Sequence, residues 1–257
     1  MIHIDPATRP DPIVYLDHVA ASDAGRGYKR QVLDLLDLRP GQTVLDIGCG
    51  PGTDLAAMAS AVAPGGRVIG VDREPRMAEE ARARLAGHES VVIHEGDAHD
   101  LPLADRSVDR ARTDRVLQHV DDPARVLAEF RRVARPGARI VMAEPDWEGM
   151  LIDSPRPEIG RALNGFMVAE MIRNGTLGRS LARLCADAGL VVREVTTAAP
   201  VFRDFATADR LLGLRRNVVR AIDAGHLEPA AREWIDELGS GPFLASTLLF
   251  LVAADVA

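Results

Sequence analysis

The stretch Val44-Leu45-Asp46-Ile47-Gly48-Cys49-Gly50-Pro51-Gly52 places glycine at every second position, directly after an apolar run and directly before a helical pattern. Glycines there let the backbone turn sharply and approach a ligand with no Cβ in between. The helix that follows offers unpaired N–H groups and the positive end of its dipole. A dinucleotide loop reads G-x-G-x-x-G; here Thr53 stands where its third glycine would fall, and an acid, Asp46, lies inside the motif. A carboxylate repels a diphosphate but attracts an ammonium or sulfonium, so the loop favours a zwitterionic or cationic ligand. Two more acids follow the next apolar runs. Asp72, 20 residues beyond Gly52, stands where a carboxylate accepts hydrogen bonds from ribose hydroxyls. Asp97, in Glu95-Gly96-Asp97-Ala98, stands where a side chain can meet an adenine amino group.

Groups so far apart in the chain meet only if strand ends share one edge of a sheet. The first half of the sequence predicts that arrangement, because strand-like apolar runs alternate with helical patterns. Strands are expected at 43–47, 67–71, 91–94, 108–113 and 138–143, with helices at 28–38, 53–62, 76–85 and 123–134 between them. After Glu144 the rhythm changes. Helices are expected at 155–174, 177–188, 206–224 and 229–238, and strands at 191–197 and 242–253. The result is an α/β fold with a doubly wound, mostly parallel, seven-stranded sheet. The whole of 1–257 reads as one domain, with a core over 28–150 and 177–257. The helices at 155–175 and 206–238 exceed a minimal sheet and are expected to form a substrate-covering lid. Phe166, Met167, Met171, Phe202 and Phe205 either line its apolar pocket or pack as core. Arg215, Arg216 and Asn217 either recognise an acidic group or form a solvated face.

The composition narrows the function classes. A net charge of −7 is a poor match for a nonspecific polyanion binder, which needs a basic surface, so no nucleic-acid partner is expected. Cys49 and Cys185 are the two cysteines; they form no disulfide framework, consistent with a reducing cytoplasm. The amino terminus, Met1 to Pro12, has no apolar core of a leader. The apolar run 243–254 is shorter than the roughly 20 residues a membrane span requires. No metal site is expected, because no cluster of acids has ligand spacing. His3, His18, His88, His94, His99 and His226 show no partner pattern. A homodimer is left open.

The chain resembles the class I S-adenosylmethionine-dependent methyltransferases, in the small-molecule branch that includes the ubiquinone and menaquinone biosynthesis type. Four segments carry the resemblance, in order and correctly spaced: LDIGCGPG at 45–52, VIGVD at 68–72, GDAHDLP at 96–102, and the run from Arg115-Val-Leu-Gln-His119 through Pro136-Gly137. The resemblance is close over 28–145 and only in outline beyond. It implies a Rossmann-like methyltransferase fold and S-adenosyl-L-methionine as cofactor. Gly48, Gly50 and Gly52 would lie under the methionine part, with Asp46 near its amino end and Tyr28 near its carboxylate. Asp72 would hold the ribose hydroxyls, Arg73 or Met77 would flank the adenine, and Asp97 with Ala98 would meet its amino group. Asp114, ending the fourth strand, joins this set.

The methyl acceptor would be an O, N or C atom of a small organic molecule, and a general base helps when that atom is acidic. His119, placed at the start of the helix after strand four, is the candidate base or a structural histidine. Glu144 and Asp146 could orient it, bind a substrate amine or cap a turn. Two other functions stay open: a protein of this fold that binds the cofactor without methyl transfer (sensor, scaffold or rearrangement catalyst), and a nicotinamide-dependent oxidoreductase.

Overall fold

A computed structural model describes residues 11–257; His3 and most of the segment Met1–Pro12, read above for a leader, lie outside the described residues. Eight strands form one sheet: β1 (Thr43–Ile47), β2 (Arg67–Asp72), β3 (Val91–Glu95), β4 (Val108–Asp114), β5 (Ala134–Ile152), β6 (Leu190–Ala198), β7 (Val201–Phe202) and β8 (Ala245–Val256). Their order is β3-β2-β1-β4-β5-β8-β6, with the two-residue β7 pairing with β8. The first five in that row run parallel, and β8 is antiparallel to both β5 and β6. The expected seven-strand sheet is therefore present, with β7 added. The chain reverses its direction of travel between β1 and β4, and in open α/β sheets ligands bind in the crevice beyond the strand ends at such a switch point.

Among the described residues ten α-helices accompany the sheet: α1 (Pro12–Ala21), α2 (Asp23–Leu36), α3 (Leu55–Val62), α4 (Pro75–Arg84), α5 (Pro123–Val133), α6 (Pro157–Phe166), α7 (Leu181–Asp187), α8 (Phe205–Leu212), α9 (Leu214–Asp223) and α10 (Ala231–Leu238). The residues of β1 and β2 are buried almost throughout, as expected for parallel strands covered on both faces. On one face α5 and α7 bury Val126, Leu127, Phe130, Leu181 and Cys185 against Leu45, Ala111, Ile140 and Met142. On the other, α2 lays Tyr28, Val32 and Leu36 on Val141, Ala143 and Leu251. A separate apolar cluster joins α6, α8, α9 and α10 around Trp234, which is 1% exposed.

Several elements differ from their expectation for identifiable reasons. Helix α1 lies where none is expected; Asp11 caps it, accepting the Ile13 N–H at 2.9 Å, and Pro12 opens it. The long helix at 206–224 is cut in two by Gly213 at φ 66. That at 155–174 ends as α6 and continues as a π-helical turn over Met167–Met171. Phe166, Met167 and Phe202 are buried core, with Met171 and Phe205 packed against them. Arg215 pairs with Asp236 and lies 4.9 Å over the Phe205 ring, while Asn217 is buried and donates to the Leu212 carbonyl at 3.1 Å. These are packing roles rather than an acid-recognition face. Among the described residues no helix is long and apolar enough to cross a membrane.

Candidate functional site

The glycine loop leaves β1 at the switch point. Its amides are held from β2: the Gly48 and Cys49 N–H groups donate to the Val71 carbonyl at 2.7 and 3.1 Å, and the Gly50 N–H donates to Asp72 Oδ2 at 2.8 Å. Gly48 has φ 68, and a Cβ there would lie 2.3 Å from Val116 Cγ2. Both the left-handed conformation and the lack of space exclude any other residue at that point. Gly52 serves packing: a Cβ on it would meet Leu85 and Ala81 of α4 at 3.1 and 3.3 Å. Asp72 thus fixes the loop, and its Oδ1 also accepts the Glu74 N–H at 3.0 Å. Met77 is buried behind it, and Arg73 is exposed.

Beneath the loop runs a chain of buried charges that sequence reasoning missed. Asp46, 2% exposed, and Arg112, 3% exposed, are register neighbours on β1 and β4, joined by two hydrogen bonds of 3.0 Å each. Arg112 also donates to Asp54 Oδ2 at 2.7 Å. Asp54 begins α3 without capping it, and its carboxylate turns instead to Arg112 and Lys29. Lys29 reaches Asp114 Oδ2 at 3.1 Å, the oxygen that also accepts the Tyr28 hydroxyl at 3.1 Å. Burial raises the Asp54 carboxyl, but the Arg112 and Lys29 charges outweigh it and hold the group at about 2. Burial also drives the Tyr28 phenol well above its usual range, so it stays protonated as a donor. Burial pushes the Asp46 carboxyl up, and the Arg112 guanidinium works against that push. Asp46 therefore faces a guanidinium inside the sheet rather than an open crevice, a correction to its expected place beside a ligand's amino end. The signal was available: an arginine inside the central strand VDRARTD needs a buried counter-charge.

Asp97 is exposed, and its Oδ1 accepts the His99 N–H at 2.8 Å and contacts His99 Nδ1 at 2.6 Å. The His99 backbone donor is the main cause of its lowered carboxyl pKa. His99 Nε2 in turn accepts the Asp122 N–H at 3.2 Å, so this histidine, expected to have no role, ties the segment after β3 to the start of α5. Ala98 packs partly buried beside them.

The three candidates for moving or orienting a proton occupy three different settings. Glu144 is fully buried and accepts the N–H groups of Val116, Leu117 and Gln118 at 2.8, 2.7 and 3.2 Å. Burial raises its carboxyl to about 8 against the pull of those three donors. It caps the turn after β4, one of the roles the sequence leaves open for it. Asp146 is 1% exposed and is engaged by the Arg179 guanidinium, with one contact at 2.6 Å. His119 lies on the turn before α5, not in the helix, and its side chain is exposed; Asn174 holds that turn from outside through the Leu117 and Val120 carbonyls, both at 2.9 Å. Among the described residues no three His, Cys, Asp or Glu side chains are grouped to hold a metal ion.

Next to the charge chain lies a cavity of about 60 Å³ lined by Tyr15, Tyr28, Arg115, Trp147, Phe202 and Leu212 among others. The glycine loop, Asp72 and Asp97 are not part of its wall.

Residues 38–182 match a family model described as a methyltransferase domain. The chain belongs to that family. An uncharacterized 37.1 kDa protein in transposon TN4556 of Streptomyces fradiae is 52% identical to this methyltransferase over 246 residues, 95% of this chain and 71% of that protein. Demethylmenaquinone methyltransferase of Staphylococcus aureus (strain JH9) is 32% identical over 129 residues, so the match spans about half of each chain, 50% here and 54% there. In fold, the methyltransferase is similar to a SAM-dependent methyltransferase from Aquifex aeolicus, with a TM-score of 0.61, 20% identity, and 99% and 100% of the two chains covered.

Two predictions follow from the buried groups. Replacing Arg112 by Met strands Asp46 and Asp54 in the interior and should cost about 3–5 kcal/mol in urea unfolding. Adding Asp46→Asn should restore part of that loss; a single variant as stable as the parent would contradict the charge chain. The Glu144 carboxyl has a higher pKa folded (about 8) than in its ordinary state (4.5), so the folded protein holds this proton more tightly. Its contribution to stability is complete below the ordinary value and is lost as pH rises through the folded one. The stability of the parent should therefore fall with pH across that window and that of Glu144→Gln should fall less steeply; parallel profiles would contradict it.

Proposed function

We propose that this methyltransferase uses S-adenosylmethionine and moves the methyl group to an O, N or C atom of a small organic molecule. The observation that carries the reading is the glycine loop held open at the switch point by the 2.8 Å bond from the Gly50 N–H to Asp72. The residues fit the cofactor. A carboxylate has about four lone-pair sites, so Asp72 can hold its two backbone donors and still accept ribose hydroxyls. Gly48 and Gly50 leave backbone rather than side chain facing the methionine part, Gly52 lets the loop pack closely on Ala81 and Leu85, and Arg73 or Met77 flanks the adenine. Asp97 gives Oδ1 to His99, leaving Oδ2 for the adenine amino group beside Ala98. Tyr28, Asp46 and Asp114 act from beneath, keeping the floor of the site neutral and fixed.

When bound, the cofactor supplies an electrophilic methyl group on a sulfonium that leaves as a neutral thioether. The chain's task is to align the acceptor and exclude water, an effect worth several kcal/mol of a barrier. The aromatic and aliphatic cavity wall suits an apolar acceptor, which a covering lid would enclose. We assign that lid to the helices at 155–175 and 206–238, since Leu211 and Leu212 of α8 line the cavity. His119 is kept as proton acceptor at the rim for an acidic acceptor. Glu144 and Asp146 are not, because backbone amides and Arg179 hold them. The demethylmenaquinone methyltransferase relative supports a small-molecule acceptor, as does the net charge of −7, and two buried free cysteines suit a reducing cytoplasm.

Titration calorimetry should detect S-adenosylhomocysteine, and Asp72→Ala should weaken it by about 1–3 kcal/mol, the scale of losing charge-assisted hydrogen bonds. Incubation with methyl-labelled S-adenosylmethionine and a cell extract should carry label into a small extractable product. Absence of homocysteine-nucleoside binding to the parent protein would overturn the reading.

A further inference from the structure

We infer that Arg115 is the substrate-recognition residue of the cavity, and that the substrate is a mainly apolar small molecule bearing an anionic oxygen group that docks on its guanidinium. The inference rests on the methyl-transfer reading above.

Arg115 follows β4 at the crevice edge and, among the described lining residues, brings the one positive charge into a wall otherwise made of aromatic, aliphatic and small polar side chains. Its side chain is 17% exposed. Arginine carries five N–H donors in a planar fork. Here NH1 donates to the Tyr15 hydroxyl at 3.2 Å, and Nε is buried with no hydrogen-bond partner. The nearest carboxylate oxygen to Nε, Asp114 Oδ1, is 3.6 Å away, beyond a hydrogen bond, and that oxygen is itself unpartnered. Asp114 gives its other oxygen to Tyr28 and Lys29. A buried donor left unmade is costly, and a planar anionic group is what the fork is shaped to bind.

The backbone at Arg115 supplies a second, independent observation. Its φ is 58, a left-handed conformation that is unfavourable for a residue with a Cβ. The conformation is enforced from both sides: its N–H donates to the Ala143 carbonyl at 2.8 Å, and its carbonyl accepts from Gln118 Nε2 at 3.1 Å. Strain of this kind persists where the surroundings over-determine it and clusters at ligand clamps. Glycine would occupy the position without strain, yet arginine is there.

Charge balance points the same way. Lys29, Arg112 and Arg115 are matched by Asp46, Asp54 and Asp114 in one buried chain. A sulfonium cofactor with a net positive charge leaves this neutral site short of one negative charge, which an anionic substrate group supplies in a medium where Coulomb energies are large. The cofactor's own carboxylate is a poorer match for Arg115, because no residue of the glycine loop lines this cavity.

The test titrates the full chain, with and without S-adenosylhomocysteine, with matched acid and neutral probes: octanoate against 1-octanol, 1-naphthoate against 1-naphthalenemethanol, and phenyl phosphate against phenol. At least one acid should bind about tenfold or more tighter than its neutral partner, the scale of one charge-assisted contact. Preference among the carboxylate pairs or in the phosphate pair alone tells which anionic group the fork takes. Arg115→Met should abolish the preference, and so should Arg115→Gly, which relieves the backbone strain. Both leave Asp114 without its guanidinium, so circular dichroism first checks that each variant is folded, and Arg115→Lys, which keeps the charge but not the fork, should weaken the preference in a folded protein. Both variants should keep the parent's affinity for S-adenosylhomocysteine. Equal binding of acids and neutral partners by the parent, or a preference that survives in both variants, would overturn the inference. A drop in S-adenosylhomocysteine affinity in the variants would overturn it too, by assigning Arg115 to the cofactor. If the parent binds no S-adenosylhomocysteine, the methyl-transfer reading fails, while the acid preference measured without it still decides the role of Arg115.

Discussion

Arg112 is the hinge of the whole site. A guanidinium in the interior of a parallel sheet is stable only if carboxylates surround it, and here Asp46 and Asp54 do so at 3.0 and 2.7 Å. Those two acids bracket the glycine loop, one on the strand before it and one at the head of the helix after it. Neutralising Arg112 therefore fixes both ends of the loop relative to β4. Lys29 and Tyr28 extend the constraint to α2, and Asp114 closes it at the tip of β4. The geometry of the crevice follows from the need to leave no buried charge unmatched.

Floor and roof of the site differ in kind. The floor is a sheet with paired strands, a charge chain and a turn capped by three amides on Glu144. The roof is α1, Trp147 and the helical layer around Trp234, joined to the floor largely by side chains such as Tyr15 on Arg115.

What could be read from the sequence was local. The glycine loop, Asp72 and the parallel strands announce themselves through contiguous residues and short spacings. Arg112 does not, because its partner Asp46 lies 66 residues away and only the β1–β4 register brings them level. Glu144 and Asp146 look in sequence like any acids at a strand end; which of them faces solvent, amides or Arg179 depends on turns contributed from elsewhere. Helix α1 is hard to read from sequence because its apolar residues follow no clear helical stripe. Gly213 and the π-helical turn at 167–171 break helices that periodicity alone would continue.

Hydrogen–deuterium exchange with and without S-adenosylhomocysteine tests the central claim most directly, because it reads each strand end separately. The account predicts slowed exchange at the amides of 47–54, 72–74 and 97–99, the three segments that the charge chain and Asp72 bring to one edge. Protection confined to other segments, or none at saturating ligand, would contradict it.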